Sequence, residues 1–313
     1  MNMKVLIDNY INYQNGKLKI STMKSKISTI NSLILDDFKE MDSNYISTMD
    51  LQKWKDKLEA NDNIKAVTKN VAISVFKKIL LYANKIDELD TKNYNKLLFI
   101  LEPIKKEEIV DEEEEELNNF ITKQQFDELI KIMNKKNIQS KKLYIFITKV
   151  LFYTGMRKSE LRGLKVNKIN LQEKTISIIS QKLNSNVSKE NVTLKSKNSK
   201  RNILIDDNLV SLISNYIIDN KLNGNDYLIP DVLSSYASFL STCAKKIGVD
   251  KLTPHGLRHS HCSYLIQLYM DNNIIPDFGT IARRLGHNVE NTMNVYYHMY
   301  PQQQQKLIDL LNK

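Results

Sequence analysis

The spacing of apolar and polar positions predicts helices through the first hundred residues. The clearest segment covers residues 66–85, where apolar side chains recur at helical spacing along one side. Those side chains are Val67, Val71, Val75, Ile79 and Tyr82. A second helical pattern covers residues 21–39, and Ser47 is suited to cap a third helix that continues to about Leu58. These patterns predict a helical domain over residues 1–105.

Beyond residue 120, helical stretches alternate with short strand patterns. Thr122 is suited to cap the first of these helices. The predicted helices cover about 123–134, 141–153 and 207–220, and a further helix extends from a Ser234–Ser235 cap to about residue 247. Short runs of β-branched residues predict one small sheet over about 174–205, with strands at 175–179, 192–194 and 202–205. The predicted fold class is therefore mainly α with a small antiparallel sheet.

A run of acidic residues separates the two patterns. Residues 111–116 read DEEEEE, and six like charges repel one another and rarely pack into a core. We therefore predict an interdomain linker over residues 106–119 and a second domain over residues 120–313. Pro301 interrupts the helical pattern near the end of that domain, and residues 302–313 form a predicted amphipathic tail helix.

Composition adds a class of partner and a compartment. The chain has 313 residues, 42% of them hydrophobic, which is typical of a globular protein. Its net charge of +10 favours a polyanionic partner, although charge alone also fits a merely basic protein. Cys243 and Cys262 form no C-x-x-C motif, which indicates a reducing compartment. No apolar run suits a membrane span and no secretory signal is visible, so we expect a cytoplasmic protein.

The candidate chemistry lies in residues 253–300. All five histidines are in this stretch: His255, His259, His261, His287 and His298. His255 and Arg258 form H-G-L-R, His287 ends L-G-H, and Tyr296 and Tyr297 follow. Because a tyrosine hydroxyl has a pKa near 10, it needs a base or a positive field to act as a nucleophile. The set suits attack on a phosphodiester, whose oxygens an arginine can hold in pairs.

Two further cations lie upstream of this stretch. Arg157 follows Thr154–Gly155, where a helix can end, and precedes Ser159–Glu160, which can open the next helix. Arg157 is therefore expected at a junction and not on a freely solvated face. Lys195 lies between two predicted strands, at the tip of a hairpin from which it could give a proton to a departing alkoxide.

Together these motifs resemble the tyrosine recombinases, the family of phage integrases and Xer-like enzymes. The matching pieces are T-G-M-R-x-S-E-L, L-K-x-K-N-S-K-R-x-I, H-G-L-R-H-S, and L-G-H followed by T-M-N-V-Y-Y-H. They occur in the family's order, over about residues 122–313. The resemblance implies a two-domain architecture, with an N-terminal helical core-binding domain that grips DNA and a mixed α/β catalytic domain.

The resemblance also implies a role for each site residue. Arg157 and Arg258 would clamp the scissile phosphate, and His287 would hydrogen-bond it. Lys195 would be the general acid for the 5′ oxygen, and His255 would assist proton transfer. The nucleophile would be Tyr296, which forms a 3′-phosphotyrosyl bond, and this chemistry needs no metal and no other cofactor.

Two features do not follow the family's pattern directly: the choice between two adjacent tyrosines as nucleophile, and the length of one segment. Tyr296 and Tyr297 are adjacent, but Tyr296 has a threonine four residues before it and a histidine two residues after it, as the family's nucleophile commonly does. On a helix the two side chains point about 100° apart, so only one of them should face the phosphate. The segment 269–278 is longer than the family's usual turn and lacks its glycine.

The implied function is site-specific DNA recombination for a phage or mobile element, by a homotetramer on double-stranded DNA and through a Holliday junction. Directionality or DNA-bending proteins could assist, and the tail helix could pack on its own chain or on a neighbouring protomer. Two alternatives remain: a catalytically silent DNA-binding accessory protein, and a type IB topoisomerase-like enzyme. A metal site at His255, His259 and His261 is disfavoured because no carboxylate or cysteine completes a close set.

Overall fold

The computed structural model describes residues 1–18, 20–104, 120–182, 192–193, 200–231 and 235–299. The chain divides into two compact units, Met1–Glu113 and Glu114–Lys313. The predicted linker at 106–119 and the predicted tail helix at 302–313 lie outside the described residues. Those two assignments, and the domain limits that depend on them, stay predictions.

The described part of the first unit is helical. Its helices are α1 (Met3–Gln14), α2 (Ile20–Leu33), α3 (Leu35–Phe38), α4 (Thr48–Glu59), α5 (Ala66–Lys85) and α6 (Thr91–Ile100), with a 3-10 turn at Ser43–Tyr45. The predicted cap of α4 is confirmed, because Ser47 and Asp50 each accept a hydrogen bond from the other's backbone N–H, at 3.2 Å and 3.0 Å. The predicted helix over residues 21–39 is interrupted at Ile34, where φ is −126°.

The bounds of α5 match the predicted segment, but part of its predicted apolar face was wrong. Val67 and Val71 are 47% and 41% exposed. The buried side of the helix instead follows a stripe that includes two alanines, and its members are Ala72, Ile73, Val75, Phe76, Ile79, Leu80 and Ala83. Small side chains on this stripe let neighbouring helices approach closely. A pattern that weights large apolar residues therefore selects the wrong side at the start of the helix.

The second unit combines helices with short strands. Its elements are α7 (Lys123–Lys135), α8 (Lys141–Thr154), α9 (Lys158–Arg162), β1 (Ile169–Asn170), β2 (Thr175–Ile178), β3 (Ser180–Gln181), β4 (Val192–Thr193), β5 (Arg201–Leu204), α10 (Asp207–Asp219), α11 (Tyr236–Ala244), α12 (Pro254–Asp271), α13 (Phe278–Leu285) and α14 (Val289–Met299), with 3-10 turns at Val166–Lys168 and Lys245–Ile247. Thr122 caps α7 as predicted and forms a capping box with Gln125.

The small antiparallel sheet is confirmed, although one of its strands differs from the prediction. The three-stranded sheet has the order β1-β2-β5, and the pair Ile176 and Ile203 lies in register with both side chains buried. The strand predicted at 192–194 instead pairs with β3 in a separate two-stranded ladder. Ile179, which is 41% exposed, lies between β2 and β3 and marks where the chain leaves the first ladder.

The core of the second unit surrounds α8, which is apolar on most of its circumference. Phe152 of α8 stacks on Phe126 of α7 with ring centroids 3.8 Å apart. The predicted Ser234–Ser235 cap of α11 is correct in position, since Ser235 is the N-cap residue, and Ser234 lies outside the described residues. Ser235 makes no side-chain cap bond, and its hydroxyl instead hydrogen-bonds the hydroxyl of Tyr144 on α8.

A separate apolar cluster joins α12, α13 and α14. Its buried members are Cys262, Ile266, Ile281, Leu285 and Val295. The loop between α12 and α13, where the family's glycine is missing, contains Asn273 with φ of 56°. Asparagine tolerates this left-handed conformation better than most residues that carry a side chain, so the loop turns without glycine. Within the described ranges, no helix is both long and apolar enough to cross a bilayer.

Candidate active site

Arg157 is held by the turn between α8 and α9. Gly155 ends α8 with φ of 64°, and Arg157 is the N-cap of α9. Its backbone N–H donates to Glu160 Oε2 at 2.8 Å, and its Nη1 donates to Glu160 Oε1 at 2.9 Å. One buried carboxylate therefore fixes both the backbone and the side chain of Arg157. The side chain keeps an exposed fraction of 35%, which leaves room for a ligand.

Arg258 is a buried cation with an unused donor. It lies near the start of α12 and is 5% exposed. Its Nη1 donates to the Gly155 carbonyl at 2.8 Å, whereas its buried Nη2 has no partner among the described residues. Burial, and then the charge of Arg157, lower the pKa of Arg258 to about 9, so the group remains charged at neutral pH. A buried donor without a partner is costly, and an anionic ligand would satisfy it.

Two imidazoles share the field of these arginines. Crowding of the ring by protein atoms, and then the charges of His259, Arg258 and Arg157, lower the pKa of His255 to about 4. The ring keeps contact with solvent, so water offsets part of this effect. Burial, and then the charges of Arg258 and Arg157, lower the pKa of His287 to about 3. Both rings are therefore neutral at pH 7, and each can accept or donate a hydrogen bond.

Of the two adjacent tyrosines, Tyr296 lies on the side of α14 that faces His287. Thr292 is fully buried, and its Oγ1 is 3.5 Å from His287 Nε2. Tyr296 follows Thr292 by four residues and so lies on the same face of the helix. Its ring packs edge-on against Phe278, with centroids 5.1 Å apart. Tyr297 is 55% exposed, so the geometry supports Tyr296 as the predicted nucleophile.

Lys195 lies outside the described residues, and the hairpin predicted between residues 192–194 and 202–205 is not formed, since β4 pairs with β3. The chain that leaves β3 toward Lys195 is described as far as Lys182. The N–H of Lys182 donates to the Ser159 carbonyl of α9 at 2.9 Å. A Cβ added at Gly163 would lie 2.9 Å from backbone atoms of Gln181 and Lys182. The chain therefore enters this segment in close contact with the helix that Arg157 caps.

Sequence reasoning missed two arginines that brace the site. Arg201 donates to Glu160 Oε2 at 2.9 Å, and so shares the carboxylate that holds Arg157. Arg284 donates to His261 Nε2 at 3.0 Å and to the Tyr153 carbonyl at 3.1 Å. The spacing of Arg157 and Glu160 was a local signal for their contact. The contacts of Arg201 and Arg284 join distant positions, so no local pattern could reveal them.

The histidines near the start of α12 do not converge on one point. His261 is 2% exposed and accepts a hydrogen bond from Arg284. His255 and His259 meet edge to face, with centroids 4.7 Å apart. Within the described part of the chain, no three His, Cys, Asp or Glu side chains are arranged to hold a metal ion.

Arg157 held by a buried carboxylate, the buried Arg258, two neutral imidazoles and a tyrosine on an adjoining helix are the groups expected of a site-specific tyrosine recombinase, an enzyme that cuts and rejoins DNA. A profile of the phage integrase family matches residues 119–303, well over half of the chain. The chain therefore belongs to the phage integrase family.

Curated relatives match this chain over different lengths. The integrase of Staphylococcus phage L54a is 24% identical over 98% of this chain and 92% of its own length. The XerC-like tyrosine recombinase of Caldanaerobacter subterraneus subsp. tengcongensis is 29% identical over 51% of this chain. That alignment spans about half of the relative, 47% of its length.

Solved structures share the fold at low identity. A structure of the Tn1549 transposon integrase in complex with transposon right end DNA aligns with a TM-score of 0.73 and 17% identity, over the whole of both chains. A structure of a lambda integrase tetramer bound to a Holliday junction aligns with a TM-score of 0.63 and 15% identity, over 92% of this chain and 78% of the other.

Proposed function

We propose that this chain cuts and rejoins double-stranded DNA at specific core sites through a covalent bond between Tyr296 and a 3′ phosphate. The observation that carries the proposal is the buried Arg258 guanidinium beside the partly exposed Arg157, because its Nη2 has no hydrogen-bond partner in the part of the chain that the structure describes. A phosphodiester supplies the negative charge and the acceptor oxygens that this arrangement lacks.

Charge balance supports a phosphate in this place. Glu160 is the carboxylate in contact with Arg157 and Arg201, and Arg258 adds a third guanidinium to the same field. The cluster therefore carries excess positive charge before DNA binds. In the bound state, Arg157 and Arg258 hold the two non-bridging oxygens and His287 hydrogen-bonds one of them. These contacts strengthen as charge develops in the transition state.

The cleavage step follows from the protonation states. The phenol oxygen of Tyr296 attacks phosphorus, and the bond from phosphorus to the 5′ oxygen breaks. The phenol proton passes toward His255, which is neutral at pH 7 because its pKa is lowered to about 4. Lys195 gives a proton to the departing 5′ oxygen. The phosphotyrosyl bond retains the free energy of the phosphodiester, and a 5′ hydroxyl from a second strand reverses the step.

The proposed active form is a homotetramer on DNA that passes through a Holliday junction. Support comes from the fold shared with lambda integrase, which has been solved as a tetramer on such a junction. The net charge of +10 favours binding of the DNA backbone. Docking of residues 302–313 on a neighbouring protomer would link the subunits, and directionality or DNA-bending proteins would act on this assembly.

Integration or excision of a phage or mobile element is the proposed biological setting. The L54a integrase matches nearly the full chain, and the Tn1549 integrase shares its fold throughout. The accessory-protein alternative is not favoured, since the described site keeps its arginines, its imidazoles and Tyr296. The topoisomerase alternative is not favoured either, since the family match is to integrases.

The test begins with a pool of nicked, randomised duplexes, because a nick lets the cleaved end diffuse away. Protein–DNA adducts are separated on a denaturing gel with EDTA present, and the bound DNA is sequenced. Two copies of the recovered site are then placed on a supercoiled plasmid. Recombinant plasmids are the expected product. Relaxation without joining would indicate a topoisomerase, and DNA binding without any adduct would indicate an accessory protein.

A further inference from the structure

Arg201 connects the two turns that carry Arg157 and His287. It is the first residue of β5, and its side chain is 6% exposed. Its Nη1 and Nη2 donate to the two oxygens of Glu160 at 3.1 Å and 2.9 Å. Its Nε donates to the Arg284 carbonyl at 2.7 Å. All three nitrogens of the guanidinium therefore have fixed partners on two different elements, α9 and α13.

The contact with Glu160 reaches Arg157 through one carboxylate. Glu160 is 1% exposed and is bonded by Arg201 on one side and by Arg157 on the other. Burial alone would raise the pKa of Glu160, but hydrogen bonds and charge from Arg201 and Arg157 outweigh it and lower the pKa. The carboxylate therefore stays ionised. It holds Arg157 in a single position as long as Arg201 fixes the orientation of the Glu160 side chain.

The second contact reaches His287 through Gly286. Gly286 ends α13 with φ of 68°, and His287 follows directly. A Cβ added at Gly286 would lie 3.0 Å from Arg201 Nη1 and 3.2 Å from its Cζ. The guanidinium therefore packs against the turn itself, while the Arg284 carbonyl accepts its Nε–H. Arg157 Nη2 also lies 3.4 Å from the Gly286 carbonyl, so the two turns meet around Arg201.

Arginine is rare in this chain, which makes its use at this position informative. Only six of the 46 lysines and arginines are arginines, and all six lie at or after residue 157. Lysine offers a single nitrogen on a flexible stem, whereas the arginine fork binds both oxygens of a carboxylate in one plane. Arg201 uses three guanidinium nitrogens for its bonds to Glu160 and to the Arg284 carbonyl, and a lysine could not make all three.

We propose that Arg201 is a positioning residue for DNA strand cleavage, which holds Arg157 through Glu160 and holds the Gly286–His287 turn by direct contact. This inference rests on the proposed function. The side chain of Arg201 is only 6% exposed, so the proposal assigns it no DNA contact of its own. Its loss should therefore slow the chemical step while the affinity for DNA stays the same. A small misplacement of a phosphate-binding group lowers the rate constant of cleavage but leaves the binding of DNA unchanged.

The test compares Arg201→Lys and Arg201→Met with Arg162→Lys. Arg162 is also a buried arginine, and it is paired with a different carboxylate, that of Asp231. The substrate is the nicked duplex recovered by covalent capture. Single-turnover adduct formation gives a rate constant and an amplitude, and DNA titration gives Kd. A merely structural role lowers the amplitude, since less protein is folded, whereas a positioning role lowers the rate constant.

The expected rate constant falls about 10-fold for Arg201→Lys and about 100-fold for Arg201→Met, with Kd changed by less than about twofold. Arg162→Lys is expected to lose amplitude and keep the wild-type rate constant. A wild-type rate constant in both Arg201 variants would overturn the positioning role. So would losses of rate and amplitude in Arg162→Lys that match those of Arg201→Lys. If the wild-type protein forms no adduct on any duplex, the proposed function fails and this role fails with it.

Discussion

Replacing Gly155 with alanine perturbs the turn that leads into Arg157. The residue has φ of 64°, and an added Cβ would lie 2.5 Å from both His261 Cδ2 and Leu285 Cδ2. Its carbonyl also accepts the hydrogen bond from Arg258. Gly248 supplies a matched control in the same unit, since it also ends a helical turn, has φ of 77°, and has no neighbouring atom of the described residues within 4 Å of an added Cβ.

The two substitutions share a conformational cost and differ in a steric one. Alanine in the left-handed region costs about 1–2 kcal/mol, and its restriction of the unfolded chain offsets about 0.4–1 kcal/mol of that. Gly248→Ala should therefore lower the free energy of unfolding by roughly 1 kcal/mol. Gly155→Ala adds an overpacking term of about 1–3 kcal/mol, because the methyl group overlaps an imidazole and a leucine. Its total loss should be about 2–4 kcal/mol.

Urea unfolding can be followed separately in the two units because each unit contains a different spectroscopic probe. Trp54 is the single tryptophan and lies in the first unit, so its fluorescence is expected to follow that unit. All five histidines lie in the second unit, and their NMR signals follow its unfolding. In Gly155→Ala the histidine transition should move to lower urea by more than in Gly248→Ala, while the Trp54 transition stays in place.

Equal losses in the two glycine variants would refute the steric argument, because the conformational cost alone would then account for both. A Trp54 transition that shifts as far as the histidine transition would also contradict it, since the overlap is confined to the second unit. The steric account further requires slow strand cleavage in Gly155→Ala and an unchanged cleavage rate in the folded fraction of Gly248→Ala.

Two further predictions concern pH and salt. Because the pKa of His287 is lowered to about 3 and that of His255 to about 4, both rings bind fewer protons in the folded state than in the unfolded chain below pH 6.5. The free energy of unfolding should therefore fall as the pH drops from 6.5 toward 4, and His287→Gln should flatten this fall when urea midpoints are compared between pH 7 and 5. In the first unit, burial and then the charge of Lys78 lower the pKa of Lys26, which places two lysines where a phosphate would relieve their repulsion. Lys26→Gln should weaken DNA binding on all sequences and reduce the slope of log Kd against log salt by about one. Lys57→Gln is the control, since Lys57 already pairs with Asp37 at 2.6 Å, and an equal change in slope for both variants would contradict the assignment.

Features set by neighbouring residues were the most accessible to sequence reasoning. The caps at Ser47 and Thr122 depend on a residue three positions away, and both capping boxes form. The limits of α5 are likewise local, because Lys65 and Ile86 leave helical geometry on either side of it.

Features that depend on packing were not accessible in the same way. The buried side of α5 is decided by the helices against it, so the small Ala72 is buried and the larger Val71 is exposed. The partner of β4 is decided by where the chain leaves β2, at the exposed Ile179. Neither the buried side of α5 nor the pairing partner of β4 is recorded in the periodicity of apolar residues along the sequence.

The candidate site divides in the same manner. Arg157, His255, Arg258, His287 and Tyr296 stand in recognisable motifs, and the charges of Arg157 and Arg258 act on both imidazoles. The motifs contain Glu160 and Arg201, in T-G-M-R-x-S-E-L and L-K-x-K-N-S-K-R-x-I, but they do not show which residues these two contact. Arg201 meets Glu160 across 41 positions, and Arg284 meets the Tyr153 carbonyl across 131. Such contacts join residues that are far apart in the sequence, so they become visible only in the three-dimensional structure.

The central claim is that Tyr296 attacks the phosphodiester. The most direct test is to capture the adduct on nicked duplex, digest protein and DNA, and identify by mass spectrometry the peptide that carries the nucleotide remnant. Tyr296→Phe should bind DNA and form no adduct, whereas Tyr297→Phe should still form one. A remnant on Tyr296 is the predicted result. A remnant on Tyr297, or an adduct that persists in Tyr296→Phe, would contradict the geometry that places Tyr296 on the same face of α14 as Thr292.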